Sequence, residues 1–273
     1  MKTFARTLVL VALVSVTMVI PSLPEASAAP TWAPAATAPI HPGVQTFTAG
    51  AQCTANFVFY SGTTVYIGQA AHCSGTGGST ETDGCTSHSL PIGTPVDVGG
   101  VTTGTLAYNS WINMQANHVT DPDTCAYNDL ALIRLSPAAA ALVNPSIPFW
   151  GGPTGVGGAT AAGDKLYSYG NSSLLPGPSP ISPIRAISLG DAGAGWSHTV
   201  YGIRPGIPGD SGSAFLNASG KANGVLSTVA IAPLPASNGV GDIGREIAYL
   251  NSHTSADVTL ANGTEPFNPN RLN

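Results

Sequence analysis

Glycine and proline interrupt this chain so often that long helices have little room. There are 33 glycines and 23 prolines in 273 residues. The apolar runs between them are short and rich in β-branched and aromatic residues, the pattern of many short strands joined by tight turns. "TANFVFYSGTTVYIGQAAHC" sets two such runs on either side of Ser61-Gly62 and predicts a hairpin with strands over 56–60 and 64–68. "TPVDVGGVTTGTLAYNS" alternates in the same way around Gly99-Gly100, and "DLALIRLS" is a continuous buried strand ended by Pro137. The glycine-rich crossing "PFWGGPTGVGGATAAGDK" marks a boundary between two halves, after which strands resume with "KLYSYG", "PIRAISLG", "SHTVYGIR", "GSAFLN" and "NGVLSTVAI". Only "DIGREIAYLNSH" changes period. Ile243, Ile247 and Leu250 share one helical face there and Asp242 stands where a cap would, so one short C-terminal helix is expected.

The flanks read differently. Lys2 and Arg6 precede an apolar run over 8–20, and Ala26-Ser27-Ala28 supplies a small-residue cleavage pattern, so residues 1–28 are expected to be a secretory signal peptide. The run is short against the roughly 20 residues of a membrane span. Its removal deletes Lys2, Arg6 and Glu25 and takes the formal charge from −5 to about −6. Residues 29–43 are a Pro/Ala-rich tail, residues 44–150 and 151–255 the two halves, and residues 256–273 a polar tail. Cys53, Cys73, Cys85 and Cys125 make an even number in an exported chain, which predicts two disulfides with three pairings open. Without a Cys-x-x-Cys spacing, no structural metal is expected. The negative charge and the lack of a basic cluster count against nucleic-acid binding.

Three segments carry chemistry together: "GQAAHCSG" with His72, "YNDLALIRL" with Asp129, and "RPGIPGDSGSAF" with Ser211. A serine hydroxyl becomes a nucleophile when a base takes its proton and donors hold the oxyanion that forms. Histidine titrates near neutrality and suits the first task, and an acid behind the ring fixes its tautomer. The glycines around Ser211 let the backbone turn two N–H groups, those of Gly209 and Ser211, toward one point.

The order His72, Asp129, Ser211, with "AAHC", "NDLALIRL" and "GDSGSA" around them, resembles the chymotrypsin-like serine proteases over roughly residues 44–255, and the secreted bacterial branch in particular. The resemblance implies an all-β fold of two packed antiparallel six-stranded β-barrels, with His72 and Asp129 from the first and Ser211 from the second. It implies the pairing Cys53–Cys73, which leaves Cys85–Cys125. It implies an endopeptidase that works through an acyl-enzyme on protein or peptide substrates, without a cofactor. The protein is expected to be secreted and monomeric, with no stable membrane association once the leader is removed.

The departures are informative. No activation site precedes Gly50, so Asp210, the acid beside the nucleophile, needs another partner. Arg204 and Arg185 are the candidates, because an unpaired buried charge is costly. The pocket floor of the family falls on Pro205, neither Asp nor Lys, so a basic P1 residue loses its counter-charge. Ser227 aligns with the serine that supports the catalytic acid, and Thr228 and Val229 with substrate-binding backbone, where Val229 could narrow the pocket. An apolar P1 residue is expected, or an acidic one if His198 faces the pocket. Asp121 and Asp123 sit in what reads as a solvated loop. Two other functions compete: a non-catalytic protease-like binding protein, and an α/β-hydrolase esterase using Ser211, Asp242 and His253. The latter lacks the second glycine of its elbow, since Ser213 stands there.

Overall fold

The alternating runs become strands. The computed structural model describes residues 29–78, 81–175, 180–229 and 234–271, so the leader expected over residues 1–28 lies outside the described residues. The first half contains β1 (Gln45–Thr48), β2 (Ala51–Thr54), β3 (Val58–Ser61), β4 (Thr64–Ala70), β5 (Pro95–Val98), β6 (Thr102–Asn109) and β7 (Leu130–Arg134), with helices α1 (Ser110–Ala116), α2 (Pro122–Tyr127) and α3 (Pro137–Ala140). The second half contains β8 (Lys165–Tyr169), β9 (Pro183–Ala192), β10 (Ser197–Gly202), β11 (Ala214–Asn217), β12 (Ala222–Val229) and β13 (Asn238–Asp242). Helix α4 (Ile243–His253) and the two-residue strand β14 (Thr259–Leu260) follow.

The second half closes into a six-stranded barrel in the order β10-β13-β12-β11-β8-β9. The first half does not close. It is an open eight-stranded sheet, β14-β3-β4-β7-β6-β5-β1-β2, in place of the second six-stranded barrel that the resemblance implied. The physical reason lies at its ends. β14 comes from beyond α4 and pairs with β3 (Leu260 opposite Phe59). At the other end Thr54 of β2 gives its N–H to the Ser211 carbonyl of the opposite half (2.8 Å). Each terminal strand thus makes its contacts away from the other. Every strand ladder in both sheets is antiparallel, which removes the α/β-hydrolase alternative, built on a parallel sheet.

Three helices were not expected, and each is short and held by its cap. Asn109 accepts from Trp111 and Ile112 N–H at α1, Asp121 from Thr124 N–H at α2, and Ser136 from Ala139 N–H at α3, with a proline opening both α2 and α3. Asp121 therefore caps a helix where a solvated loop was read. Helix α4 is capped by Asp242, which accepts from Arg245 N–H (2.8 Å), and it buries Ile243 and Leu250. Among the described residues no helix is long and apolar enough to cross a membrane.

Phe57, Phe59, Leu130 and Leu132 of the first half pack with Leu216 and Val225 of the second and with Ile243 and Leu250 of α4 in one buried layer. Full burial of each such side chain contributes about 1.5–3 kcal/mol, so this shared layer fixes the halves against each other. The flanking stretches read as tails also carry structure. Ile40 is buried in a parallel bridge to Val143, and the Phe267 ring meets Tyr167 edge-on at 5.4 Å.

Candidate active site

His72 sits in a single 3-10 turn (Ala71–Ser74) that ends β4, and Asp129 directly precedes β7, the neighbour of β4. The ladder between these strands continues past its end, with Ala71 N–H donating to the Asp129 carbonyl (2.8 Å). The carboxylate then takes two more bonds from the same residue, His72 N–H to Oδ1 (2.9 Å) and His72 Nδ1 to Oδ2 (2.7 Å). Since a carboxylate only accepts, Nδ1 carries the proton and Nε2 is left with a lone pair. Asp129 is nearly inaccessible (5% of its side chain), whereas His72 keeps 26% of its side chain exposed. Burial pulls the His72 pKa down, but the charge of Asp129 and its hydrogen bond push it further up, so the ring titrates above its ordinary value of 6.5.

The second half reaches the same carboxylate. Ser227 Oγ on β12 donates to Asp129 Oδ2 (2.5 Å), the support expected of it. The residue before it, Leu226, accepts from Gly212 N–H (2.7 Å) and donates its own N–H to the Ser213 carbonyl (2.9 Å), so the loop bearing Ser211 hangs on the strand that braces Asp129. On its other side this loop meets the first half. Thr54, next to disulfide-bonded Cys53, binds the Ser211 carbonyl, and a Cβ at Gly212 (φ +88°) would lie 2.5 Å from the Thr54 carbonyl oxygen and 3.0 Å from Ala70 N. Only glycine allows that approach. Cys53–Cys73 ties β2 to the turn of His72, and Cys85–Cys125 ties the stretch before β5 to α2, the two pairings that the resemblance implied. The structure thus brings His72, Asp129 and the Ser211 loop together. Among the described residues no hydrogen bond joins Ser211 Oγ to His72, a contact that often tightens only when substrate is bound.

Asp210 is fully buried and paired. Arg204 Nη2 lies 3.0 Å from Oδ2, and the N–H groups of Ser172 (3.1 Å) and Ile207 (3.2 Å) complete its shell. Of the two cations considered, Arg204 is the partner, while Arg185 lies over the Trp150 ring at 4.7 Å. Gly209 holds φ +93°. Its carbonyl accepts from Thr54 Oγ1 (2.7 Å) and Gln52 Nε2 (2.9 Å), while among the described residues its N–H and that of Ser211 meet no acceptor.

Around the expected pocket, Pro205 is half-buried, and the next residue is clamped by Asn238, which accepts from Gly206 N–H (2.8 Å) and donates to the Thr228 carbonyl (3.2 Å). Thr228 is half-buried and Val229, at the end of β12, is 51% exposed. His198 is not a pocket residue. It is wholly buried on β10, with Nδ1 on Asp191 Oδ1 (2.7 Å) and Nε2 on Asp242 Oδ2 (3.1 Å), so neither nitrogen is available to a substrate. Burial lowers the His198 pKa, but the bonds and charges of both aspartates outweigh it and hold the ring above its ordinary value. Asp191, seven residues away, lies opposite His198 across the β9–β10 ladder, and Asp242, 44 residues away, ends β13, contacts that depend on strand pairing.

Glu246 escaped sequence reading altogether. It is buried in the first turns of α4 and accepts from Asp129 N–H through Oε1 (2.9 Å), while Oε2 has no partner among the described residues. Burial first, and then the charges of Asp129 and Asp242, push its pKa well above the carboxylate range against the lowering effect of the Asp129 N–H bond. Burial and the two neighbouring carboxylates thus disfavour a second negative charge behind Asp129. The helical period pointed to Ile243, Ile247 and Leu250 and gave no signal for the acid among them.

The closed barrel, the antiparallel sheet beside it and the imidazole–carboxylate pair near the glycine-turned serine loop fit a chymotrypsin-like fold. Solved structures similar to this chain include serine proteases. Protease A of Thermobifida fusca is 16% identical with a TM-score of 0.52, over 82% of this chain and 99% of its own. A glutamic acid specific serine protease described as using a histidine triad in substrate binding is 14% identical with a TM-score of 0.50, over 81% of this chain and 100% of its own. No protein-family model and no curated protein matches the sequence.

Proposed function

We propose that the chain is a secreted serine endopeptidase that cleaves peptide bonds through an acyl-enzyme. One observation carries the reading. Asp129 takes His72 Nδ1 from one half and Ser227 Oγ from the other, while the adjoining residue of β12 holds the Ser211 loop. Ser211 Oγ attacks the scissile carbonyl and its proton passes to His72 Nε2. The Gly209 and Ser211 N–H groups receive the oxyanion, and the imidazolium, stabilised by Asp129, returns the proton to the leaving amine. Water then repeats the sequence on the acyl-enzyme and frees Ser211.

For the substrate we propose a small or medium apolar P1 side chain. Pro205 offers no charge to a basic residue. The acidic option rested on His198, whose two nitrogens are occupied. The leader-like pattern over residues 1–28 and the two disulfides, bonds that persist in oxidising compartments, support the export reading. The test is labelling of the folded protein with a peptidyl phosphonate, followed by cleavage-site profiling on a peptide library. We expect adduct on Ser211 and none after Ser211→Ala or His72→Ala, with cleavage after apolar residues. Folded protein without adduct overturns the activity, and a strict preference for Arg, Lys or Glu overturns the P1 assignment.

A further inference from the structure

An oxyanion hole made of backbone N–H groups works only if its peptides cannot turn over. The two peptides in question are Pro208–Gly209 and Asp210–Ser211. The first is the more vulnerable, because glycine tolerates either sign of φ and its peptide can flip at small cost. A trans peptide points its N–H opposite to its C=O, so whatever holds the carbonyl aims the donor. Both carbonyls are held by buried serine hydroxyls. Ser172 Oγ donates to the Pro208 carbonyl at 2.5 Å, and Ser213 Oγ donates to the Asp210 carbonyl at 2.6 Å. Neither serine is exposed. Each is also fixed in its own place, Ser172 by its N–H on Asp210 Oδ1 (3.1 Å) and by Leu174 N–H on its hydroxyl (3.1 Å), Ser213 by its N–H on the Asp210 carbonyl (2.9 Å). Between the two peptides the Gly209 carbonyl is tied by Thr54 and Gln52.

We propose that Ser172 and Ser213 are positioning residues of this site, a pair of buried hydroxyls that keep the Gly209 and Ser211 N–H groups turned toward the substrate before it arrives. The inference rests on the peptidase reading above. Ser172 comes from the segment after β8 and Ser213 from the Ser211 loop itself, so the two tethers hold the Pro208 and Asp210 carbonyls, the residues before and after Gly209. Their hydroxyls touch no reacting atom. Their effect is confined to the state in which the oxyanion exists, so they set kcat and leave ground-state binding alone.

The experiment compares wild type, Ser172→Ala, Ser213→Ala and the double variant on a fluorogenic peptide that the wild type cleaves. A peptide boronate, whose tetrahedral adduct occupies the hole, is titrated alongside, with the thermal midpoint as the measure of folding. Loss of a whole oxyanion donor lowers kcat by about 10²–10³. A loosened donor is expected to lower it roughly ten- to a hundred-fold in each single variant, with KM within about threefold and boronate affinity falling in step with kcat. A folded double variant with kcat within about twofold of wild type overturns the proposal, as does a rise in KM that accounts for the whole loss. If the alanine variants do not fold, a crystal structure of the ligand-free wild type decides: the Pro208 carbonyl on Ser172 supports the proposal, and that carbonyl turned into the cleft overturns it. A wild type that neither cleaves peptides nor takes the phosphonate overturns the peptidase reading itself, and the inference with it.

Discussion

Two histidines in this molecule lie between aspartates and serve opposite ends. His72 has one carboxylate, on Nδ1, and about a quarter of its side chain open. His198 has a carboxylate on each nitrogen and no exposure. The first arrangement raises the affinity of the ring for a proton while leaving Nε2 free to exchange it. The second raises that affinity by similar means but occupies both nitrogens, with Thr160 Oγ1 also 3.3 Å from Nδ1, so its proton holds β10 to β9 and to the start of α4. Raised basicity alone therefore does not mark a catalytic histidine. What separates the two is one unoccupied nitrogen on an accessible edge.

The largest effects should fall on opposite observables. His72→Ala is expected to lower kcat/KM roughly a million-fold, the scale on which a triad acts as a unit, while the thermal midpoint changes little. His198→Ala is expected to do the reverse. It strands Asp191 and Asp242 beside an emptied site, and breaking a buried ion pair costs about 3–5 kcal/mol, read as a lowered midpoint of denaturant unfolding with activity per folded molecule retained. Folded His198→Ala protein without activity would show that the clamp belongs to the catalytic machinery and would erase the distinction.

The pH responses should diverge next. Peptidase activity requires neutral His72, so kcat/KM should rise with pH through a midpoint above the ordinary 6.5 of imidazole. The His198 contribution to stability has the other direction. Its folded pKa is raised, so the folded state binds the proton more tightly than the unfolded one. That stability is fully present below 6.5 and is lost as pH rises through the folded value. His72 adds a contribution of the same sign. Denaturant titrations across this range should thus show stability falling while activity climbs, and the stability slope should shrink in His198→Ala. An activity midpoint at or below 6.5 would contradict the Asp129 contact as the dominant influence on His72.

The strands were legible in the sequence, and His72, Asp129 and Ser211 stood out there, for the same reason: their signals are local. Alternation around Ser61-Gly62 places a hairpin, and the residues beside His72 and Ser211 are the ones that shape their turns. The open form of the first half was not legible, because the strand that extends it is Thr259–Leu260, two residues without a period, pairing across some two hundred positions. The same blindness misplaced His198. Its role depends on Asp191 across a hairpin and on Asp242 at the end of another strand, and a histidine in "WSHTVYG" looks the same with or without them. Asp210 was easier, since a buried acid next to the nucleophile demands a cation and Arg204 stood six residues away. Asp242 shows how one residue can be read correctly and incompletely, as the cap of α4 that also receives His198 Nε2.

Helix α4 connects the two histidine sites. Asp242 at its start belongs to the clamp, and Glu246, one turn on, reaches the backbone of Asp129. Charge decides what each can do there. Asp242 has an imidazole to face, whereas Glu246 meets no cation among the described residues and lies near two carboxylates that push it toward the neutral form. A neutral carboxyl is close in shape to an amide, so Glu246→Gln should leave kcat/KM within about threefold and keep the bond to Asp129 N–H, the smallest effect expected here. Its trace should appear in the pH dependence of stability instead. The folded pKa of Glu246 lies above its unfolded value, so the wild type loses stability as pH rises from about 4.5 toward the folded pKa, and Glu246→Gln should lack that component. Glu246→Leu, which leaves the Asp129 N–H buried without an acceptor, should cost about 1–3 kcal/mol and lower activity more than the amide does. If Glu246→Gln proves as damaging as Glu246→Leu, the carboxyl is ionised in the folded protein and Asp129 works beside a second negative charge.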